Sequence, residues 1–98
     1  FPANDFLRQE PGTNEEIKEF CSVSYNITFP MFEKIHVKGK EIHPFYEYLT
    51  AGGGKEEFAG KISWNFAKFL IGRKGEIIAR FDPKDDPEKI RPYIEEAL

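Results

Sequence analysis

The sequence contains a single cysteine, Cys21, among 98 residues, so no intrachain disulfide can form. A secreted domain held together by disulfides is thereby excluded, and a reducing, cytoplasmic setting is the expectation. No apolar run approaches the roughly 20 residues that a membrane-spanning helix needs. Positive charge is not in excess either: 14 Lys and Arg against 17 Asp and Glu give a net charge of −3. This balance disfavours a nucleic-acid-binding surface.

The start of the chain lacks both the basic residues and the apolar stretch of a secretory signal peptide. It begins with Phe1 rather than Met, so we expect that Phe1 is not the translated start. Apolar residues are well represented, at 40% of the chain with ten Phe, which is typical of a globular protein. Ninety-eight residues can bury one modest core, so we expect a single domain, residues 1–98.

Apolar periodicity predicts a helix near each end of the chain. The first covers residues 14–22 and follows a capping box, in which Thr13 and Glu16 each accept a hydrogen bond from the other's backbone N–H. The last covers residues 86–98, where Pro92 should kink or restart the helix because it lacks an N–H.

Between these helices the pattern is mixed. Residues 25–32 are predicted to be extended, residues 34–38 could add a short strand, and a two-turn helix begins at Pro44. Residues 65–71 and 76–81 form the clearest feature, a β-hairpin. The fold class is therefore α/β. A two-stranded hairpin is marginal by itself, so we expect further strands, either upstream or from another chain.

Searches for common functional sites find little. His36 and His43 lack Cys or carboxylate ligands at metal spacing, so no metal site is expected. The glycines at 52–54 are not followed by the Lys-Ser/Thr of a phosphate loop, and they are typical of a flexible turn. Cys21 has two interpretations: a small apolar residue packed on one helix face, or a redox thiol.

Two blocks of sequence are not explained by generic packing: FPANDFLRQEPG at residues 1–12 and ISWNFAKFL at residues 62–70. Together with Phe29-Pro30-Met31-Phe32, His43-Pro44 and Arg80-Phe81, they resemble the C-terminal portion of glutathione peroxidases. The resemblance runs in order across essentially the whole chain. It implies a partial thioredoxin-like fold that lacks the N-terminal strands and the first helix.

The resemblance also implies a chemistry: reduction of hydrogen peroxide or organic hydroperoxides, with glutathione or thioredoxin as reductant and no cofactor. It implies that Gln9, Trp64 and Asn65 surround the reacting atom, where neutral N–H donors stabilise a developing anion. The family's peroxidatic Cys or selenocysteine lies upstream and is absent here, so we expect the 98 residues alone to be inactive. The alternative is a non-catalytic thioredoxin-like binding or scaffold module.

The sequence departs from the family pattern in its first loop. The family's Phe-Pro-Cys-Asn-Gln-Phe is Phe-Pro-Ala-Asn-Asp-Phe here, so Ala3 supplies no thiol and Asp5 replaces an amide. Cys21 lies near the resolving cysteine of thioredoxin-dependent members and is a candidate resolving thiol. It would need its helix to unwind, since disulfide Cα atoms approach to about 4.4–6.8 Å. A partial domain with exposed sheet edges also favours self-association.

Overall fold

A computed structural model describes residues 1–98, and the chain divides into two compact units, Phe1–His43 and Pro44–Leu98. The prediction that residues 1–98 form a single domain is not tested by this division and stays a prediction. No helix combines the length and the apolar character that crossing a bilayer requires. The buried apolar side chains are Phe6, Ile17, Ile35 and Val37 in the first unit, and Leu49, Ile62, Ile77, Ala79 and Phe81 in the second.

The first unit contains one helix, α1, which spans Asn14–Tyr25. The predicted capping box is confirmed: Thr13 Oγ1 accepts the Glu16 N–H and Glu16 Oε1 accepts the Thr13 N–H, both at 3.2 Å. The helix runs three residues past its predicted end and stops at Asn26, whose φ of +51° is left-handed. Asparagine tolerates this conformation better than most residues, so it suits a helix terminus.

The strand predicted at residues 34–38 is wrong, because no regular structure forms there. The backbone N–H groups that would form a ladder are bonded elsewhere. The Lys34 N–H donates to Asn14 Oδ1, the Ile35 N–H to the Pro2 carbonyl and the Val37 N–H to Asp5 Oδ2. Two side chains and one backbone carbonyl thus take the place of a partner strand, and Asn and Asp side chains commonly compete for backbone N–H groups in this way.

The extended edge segment predicted at residues 25–32 is also not a strand. Tyr25 belongs to α1, and the residues after Asn26 have no regular structure. Pro30 removes one N–H donor, and the two units contain only one two-stranded sheet, formed further along the chain. Phe29 and Phe32 are consequently exposed, although Phe32 stacks on Phe1 with ring centroids 4.8 Å apart.

The second unit begins with α2, Pro44–Thr50, which starts at proline and covers two turns as predicted. A 3₁₀ turn, Gly52–Gly54, ends it, followed by a second, Glu56–Phe58. Gly53 has a φ of +57°, and a Cβ there would lie only 2.8 Å from the Tyr48 hydroxyl. The tight turn therefore requires glycine at that position.

The predicted hairpin is confirmed, with shorter strands. Strand β1, Lys68–Ile71, pairs antiparallel with β2, Ile77–Phe81, and a bulge lies between Leu70 and Ile71. The β2 side chains alternate between buried and half-buried, as a strand with one core-facing side requires. The expected start of β1 at residue 65 is wrong, because the left-handed φ of +68° at Phe66 interrupts the extended chain.

The C-terminal segment restarts at proline, as predicted. A 3₁₀ turn, Pro87–Ile90, leads directly into α3, Arg91–Ala97, in which Pro92 occupies the first turn. Proline is tolerated there because the N–H groups of a first turn have no partner inside the helix. Tyr93 of α3 packs edge-on against Phe81 of β2, with ring centroids 5.3 Å apart.

Candidate functional site

Gln9 lies in the N-terminal loop of the first unit and is exposed. The two residues before it, Leu7 and Arg8, have φ angles of +54° and +52°, although neither is glycine. Left-handed backbone costs a residue with a Cβ about 1–2 kcal/mol. Such conformations persist where the surrounding structure holds them, and they cluster at functional loops.

The side chains of Asn4 and Lys34 anchor the loop that contains Gln9. Asn4 Oδ1 accepts the Glu10 N–H at 3.0 Å. The Lys34 ammonium donates to the Glu10 carbonyl at 3.0 Å and to the Gly12 carbonyl at 2.5 Å. Lys34 is half-buried, which is uncommon for lysine unless its charge is satisfied. No sequence pattern marks this anchor, since a lysine in a predicted strand looks like any other exposed lysine.

Asp5, one of the two departures from the family pattern, is a third anchor of the same loop. Its side chain is only 12% exposed, and it bonds His36 Nδ1 through Oδ1 and the Val37 N–H through Oδ2, each at 2.8 Å. Burial raises the pKa of Asp5, but hydrogen bonds from Val37 and His36 and the charges of His36 and Lys38 outweigh it. The net result is a lowered pKa.

His36 shows the matching effect. The hydrogen bond to Asp5 and the charge of Asp5 raise the pKa of His36, against a smaller opposing contribution from burial. Glu41 Oε2, 3.6 Å from Nε2, contributes in the same direction. No cluster of three or more His, Cys, Asp or Glu residues in the two units could hold a metal ion.

Cys21 lies in the C-terminal half of α1 and is half-buried. Its carbonyl accepts hydrogen bonds from the backbone N–H groups of Asn26 and Ile27, so its backbone is bonded to the residues that end the helix. Phe20 and Tyr25 beside it are exposed and contact each other edge-on, with centroids 5.7 Å apart. Movement of the Cys21 thiol over a long distance would therefore require opening of the last turn of α1.

Trp64 and Asn65 lie in a turn just before β1, in the second unit. Trp64 is 42% exposed and therefore does not belong to the buried core. Phe66, which follows them, is 81% exposed and left-handed. The Lys68 ammonium donates to the Phe66 carbonyl at 2.8 Å and thus braces the end of the turn.

Arg80 of β2 holds the segment that leads into Trp64. Its guanidinium donates to the carbonyls of Phe58, Gly60 and Lys61 at 3.0, 2.7 and 2.8 Å. It also lies 5.0 Å from the Phe69 ring centroid, within range of a cation–π interaction. In the sequence, Arg80 stood out only as part of the Arg80-Phe81 pair that resembles glutathione peroxidases. The alternation of apolar and polar residues along β2 could have indicated that Arg80 points away from the core.

The four candidate residues are thus divided between the two compact units. Gln9 and Cys21 belong to the first unit, on a loop and a helix, and Trp64 and Asn65 are neighbours in one turn of the second. The convergence of Gln9 with Trp64 and Asn65 around one reacting atom stays a prediction, as does the role of Cys21.

Comparison with known proteins decides the family. The family model described as glutathione peroxidase matches residues 1–50, just over half of the chain. The chain belongs to the glutathione peroxidase family. A glutathione peroxidase homolog, BsaA, from Halalkalibacterium halodurans is 50% identical over all 98 residues, and a glutathione peroxidase from Lactococcus lactis is 49% identical. A hydroperoxy fatty acid reductase from Synechocystis is 42% identical over a 107-residue alignment.

The chain is shorter than the relatives that it matches. All of it is matched in each case, but it spans only 61–62% of the length of these three relatives. The crystal structure of Trgpx in apo form matches with a TM-score of 0.67 and 31% identity, over 98% of this chain and 75% of that one. The predicted fold class, a partial thioredoxin-like α/β fold of the glutathione-peroxidase type, is confirmed.

Proposed function

We propose that the protein to which these residues belong reduces hydrogen peroxide or organic hydroperoxides with a thiol reductant. The observation that carries the proposal is the match of all 98 residues to glutathione peroxidases at about 50% identity. The local structure supports it, since Gln9 lies on an exposed loop and Trp64 and Asn65 lie in a turn. Polar donors on such braced segments are suited to a reaction that needs preorganised N–H groups.

In the proposed reaction, a thiolate or selenolate outside these 98 residues attacks the terminal oxygen of the hydroperoxide, and the O–O bond breaks. The attacking atom becomes a sulfenic or selenenic acid. The departing alkoxide or hydroxide takes up the proton that the thiol or selenol released on ionisation and leaves as an alcohol or water. The Gln9 amide, the Trp64 indole N–H and the Asn65 amide act as neutral donors. They favour the anionic nucleophile before the attack and stabilise the negative charge that develops on the departing oxygen.

Cys21 is proposed as the resolving thiol. Its thiol condenses with the sulfenic acid to a disulfide and releases water, and an external dithiol of the thioredoxin type then reduces the disulfide. Ala3 offers no alternative thiol, and Cys21 is the single cysteine of the chain. Glutathione is the competing reductant, acting directly on the oxidised residue without Cys21. A reducing, cytoplasmic compartment fits either reductant.

The first test is to read the codons upstream of Phe1 and to assay the gene product that they encode. The proposal is supported if an in-frame Cys or UGA codon lies upstream and the gene product reduces peroxide at an enzyme-like rate. Turnover by the 98 residues alone contradicts the expected absence of activity in this chain. Absence of turnover by the complete gene product overturns the proposed function and favours the alternative, a non-catalytic binding or scaffold module.

Variants of the complete protein then separate the roles. Trp64→Phe keeps an aromatic ring and removes the N–H donor, so the rate should fall roughly 100-fold if that donor acts on the oxyanion. Tyr25→Phe is the matched control, because it removes one polar hydrogen from an exposed aromatic side chain elsewhere. Cys21→Ser should abolish thioredoxin-dependent turnover while leaving the first oxidation step intact. Unchanged turnover in Cys21→Ser overturns the resolving role.

We also propose that the isolated 98 residues associate with one another. The first unit exposes Phe20, Val23, Tyr25, Phe29 and Phe32, each with more than half of its surface accessible. The two-stranded sheet leaves unpaired edges as well. Sedimentation of the purified chain should reveal dimers or larger species at micromolar concentration, and a compact monomer would contradict the proposal.

A further inference from the structure

Both backbone polar groups of Glu10, the residue after Gln9, are bonded to side chains. The Glu10 N–H donates to Asn4 Oδ1, and the Glu10 carbonyl accepts from the Lys34 ammonium. The Gln9 carbonyl and the Glu10 N–H belong to the same planar peptide group. The Asn4 bond therefore fixes the plane that begins at Gln9, and the Lys34 bond fixes the plane that comes next.

Lys34 is itself well anchored. Its backbone N–H donates to Oδ1 of Asn14, the first residue of α1, at 2.9 Å. The next residue, Ile35, is buried and donates its N–H to the Pro2 carbonyl at 3.0 Å. The ammonium thus extends from a fixed point to the Glu10 and Gly12 carbonyls. Both acceptors are main-chain oxygens, so the contact constrains the shape of the loop.

We infer that Lys34 is a positioning residue for Gln9 in hydroperoxide reduction, an inference that rests on the proposed function. Lys34 contacts the backbone of the loop, and Gln9 carries the donor. An oxyanion donor acts only when it lies within about 2.7–3.1 Å of the developing charge. Because a shift of about 1 Å can cost roughly 100-fold in rate, release of the Glu10 and Gly12 carbonyls should be costly.

The test compares three variants of the complete gene product. Lys34→Met keeps most of the apolar stem and removes the ammonium. Lys40→Met is the matched control, since it removes the same charge from an exposed position. Lys34→Arg restores a cation that can donate to two carbonyls. The readouts are hydrogen exchange of the Glu10 N–H, the rate of hydroperoxide reduction, and the pH at which that rate reaches half its maximum.

In Lys34→Met we expect faster exchange at Glu10, a rate lower by roughly 10- to 100-fold, and a half-maximal pH displaced upward. The upward displacement arises because a misplaced Gln9 amide no longer favours the anionic nucleophile. Lys34→Arg should recover most of the rate, and Lys40→Met should match the parent. A general loss of stability would lower the amount of active protein without moving the pH profile.

Each contrary result has its own meaning. Unchanged exchange at Glu10 in Lys34→Met overturns the anchor. Faster exchange with an unchanged rate and pH profile overturns the positioning role and leaves the proposed function intact. Absence of peroxidase activity in the parent overturns the proposed function, and the positioning role with it. If Lys34→Met does not fold, the shorter Lys34→Gln is subjected to the same comparison.

Discussion

Asp5 and His36 are bound to each other across 31 positions of the chain, with Oδ1 of the carboxylate 2.8 Å from Nδ1 of the imidazole. The other carboxylate oxygen accepts the Val37 N–H, so one aspartate secures both a side chain and the backbone. The contact joins the loop that carries Gln9 to the segment that contains Lys34. Both acceptors are oxygens of one carboxylate.

The Asp5–His36 contact should make stability depend on pH in a defined window. The pKa of His36 is raised above 6.5, so its contribution is complete below pH 6.5 and is lost as the pH rises through the folded-state value. The pKa of Asp5 is lowered below 3.8, so its contribution is complete above pH 3.8 and is lost as the pH falls through the folded-state value. The contact should therefore stabilise most between pH 3.8 and 6.5.

Proton NMR titration checks this prediction directly, because the chain has only two histidines. The His36 midpoint should lie above 6.5 and should return toward that value in Asp5→Asn, which keeps an acceptor for the Val37 N–H. Denaturant unfolding of the same pair should show the largest difference near pH 5 and a smaller one at pH 8. A His36 midpoint at or below 6.5 would contradict the prediction.

The capping box at the start of α1 should contribute measurably to stability. Thr13→Ala removes the acceptor for the Glu16 N–H and should lower the free energy of unfolding by about 1 kcal/mol. Ser24→Ala, an exposed substitution inside the same helix, is the control and should be neutral or slightly stabilising. Equal effects of the two substitutions in chemical denaturation would show that the capping box contributes nothing.

Replacement of Leu7 by glycine should stabilise the protein. The φ of +54° at Leu7 costs a residue with a Cβ about 1–2 kcal/mol, against roughly 0.5–1 kcal/mol of added backbone entropy for glycine. The Leu7 side chain is 75% exposed, so little packing is lost. Leu7→Gly should raise the unfolding midpoint, whereas Leu7→Ala, which keeps the strain, should not. A lower midpoint for Leu7→Gly than for Leu7→Ala would contradict this reasoning.

Local sequence rules predicted the elements whose determinants are local. The capping box of Thr13 and Glu16, the proline start of α2 and the hairpin all depend on residues a few positions apart, and they were found. The strand predicted at residues 34–38 does not form, because its N–H groups donate to Asn14, Pro2 and Asp5, which are distant in sequence. Alternation of apolar residues carries no information about such competitors.

The candidate site shows the same division. Only the resemblance of two sequence blocks, residues 1–12 and 62–70, to glutathione peroxidases pointed to Gln9, Trp64 and Asn65. The roles of these three residues stay predictions. The side chains that brace them, Lys34 and Arg80, act on main-chain carbonyls up to 24 residues away. Carbonyls are present at every residue, so no sequence pattern marks them as partners. Contacts of this kind become visible only with the tertiary structure.

Arg80 should control the setting of Trp64, and the single tryptophan of the chain reports on it by fluorescence. The guanidinium donates to three carbonyls in the segment that leads to Trp64, and a lysine ammonium is a compact charge without the planar fork that spans them. Arg80→Lys should lower the free energy of unfolding by roughly 2 kcal/mol through lost charge-assisted hydrogen bonds. It should also increase quenching of Trp64 by acrylamide.

Arg73→Lys, an exposed substitution in the hairpin turn, is the matched control and should change neither property. If Arg80→Lys is as stable as the parent and its tryptophan is quenched to the same extent, the three carbonyl contacts do not hold the segment. If stability falls while quenching is unchanged, Arg80 supports the hairpin through Phe69 and leaves the Trp64 turn unaffected. Only a loss of stability together with increased quenching supports the prediction that Arg80 positions the turn that contains Trp64.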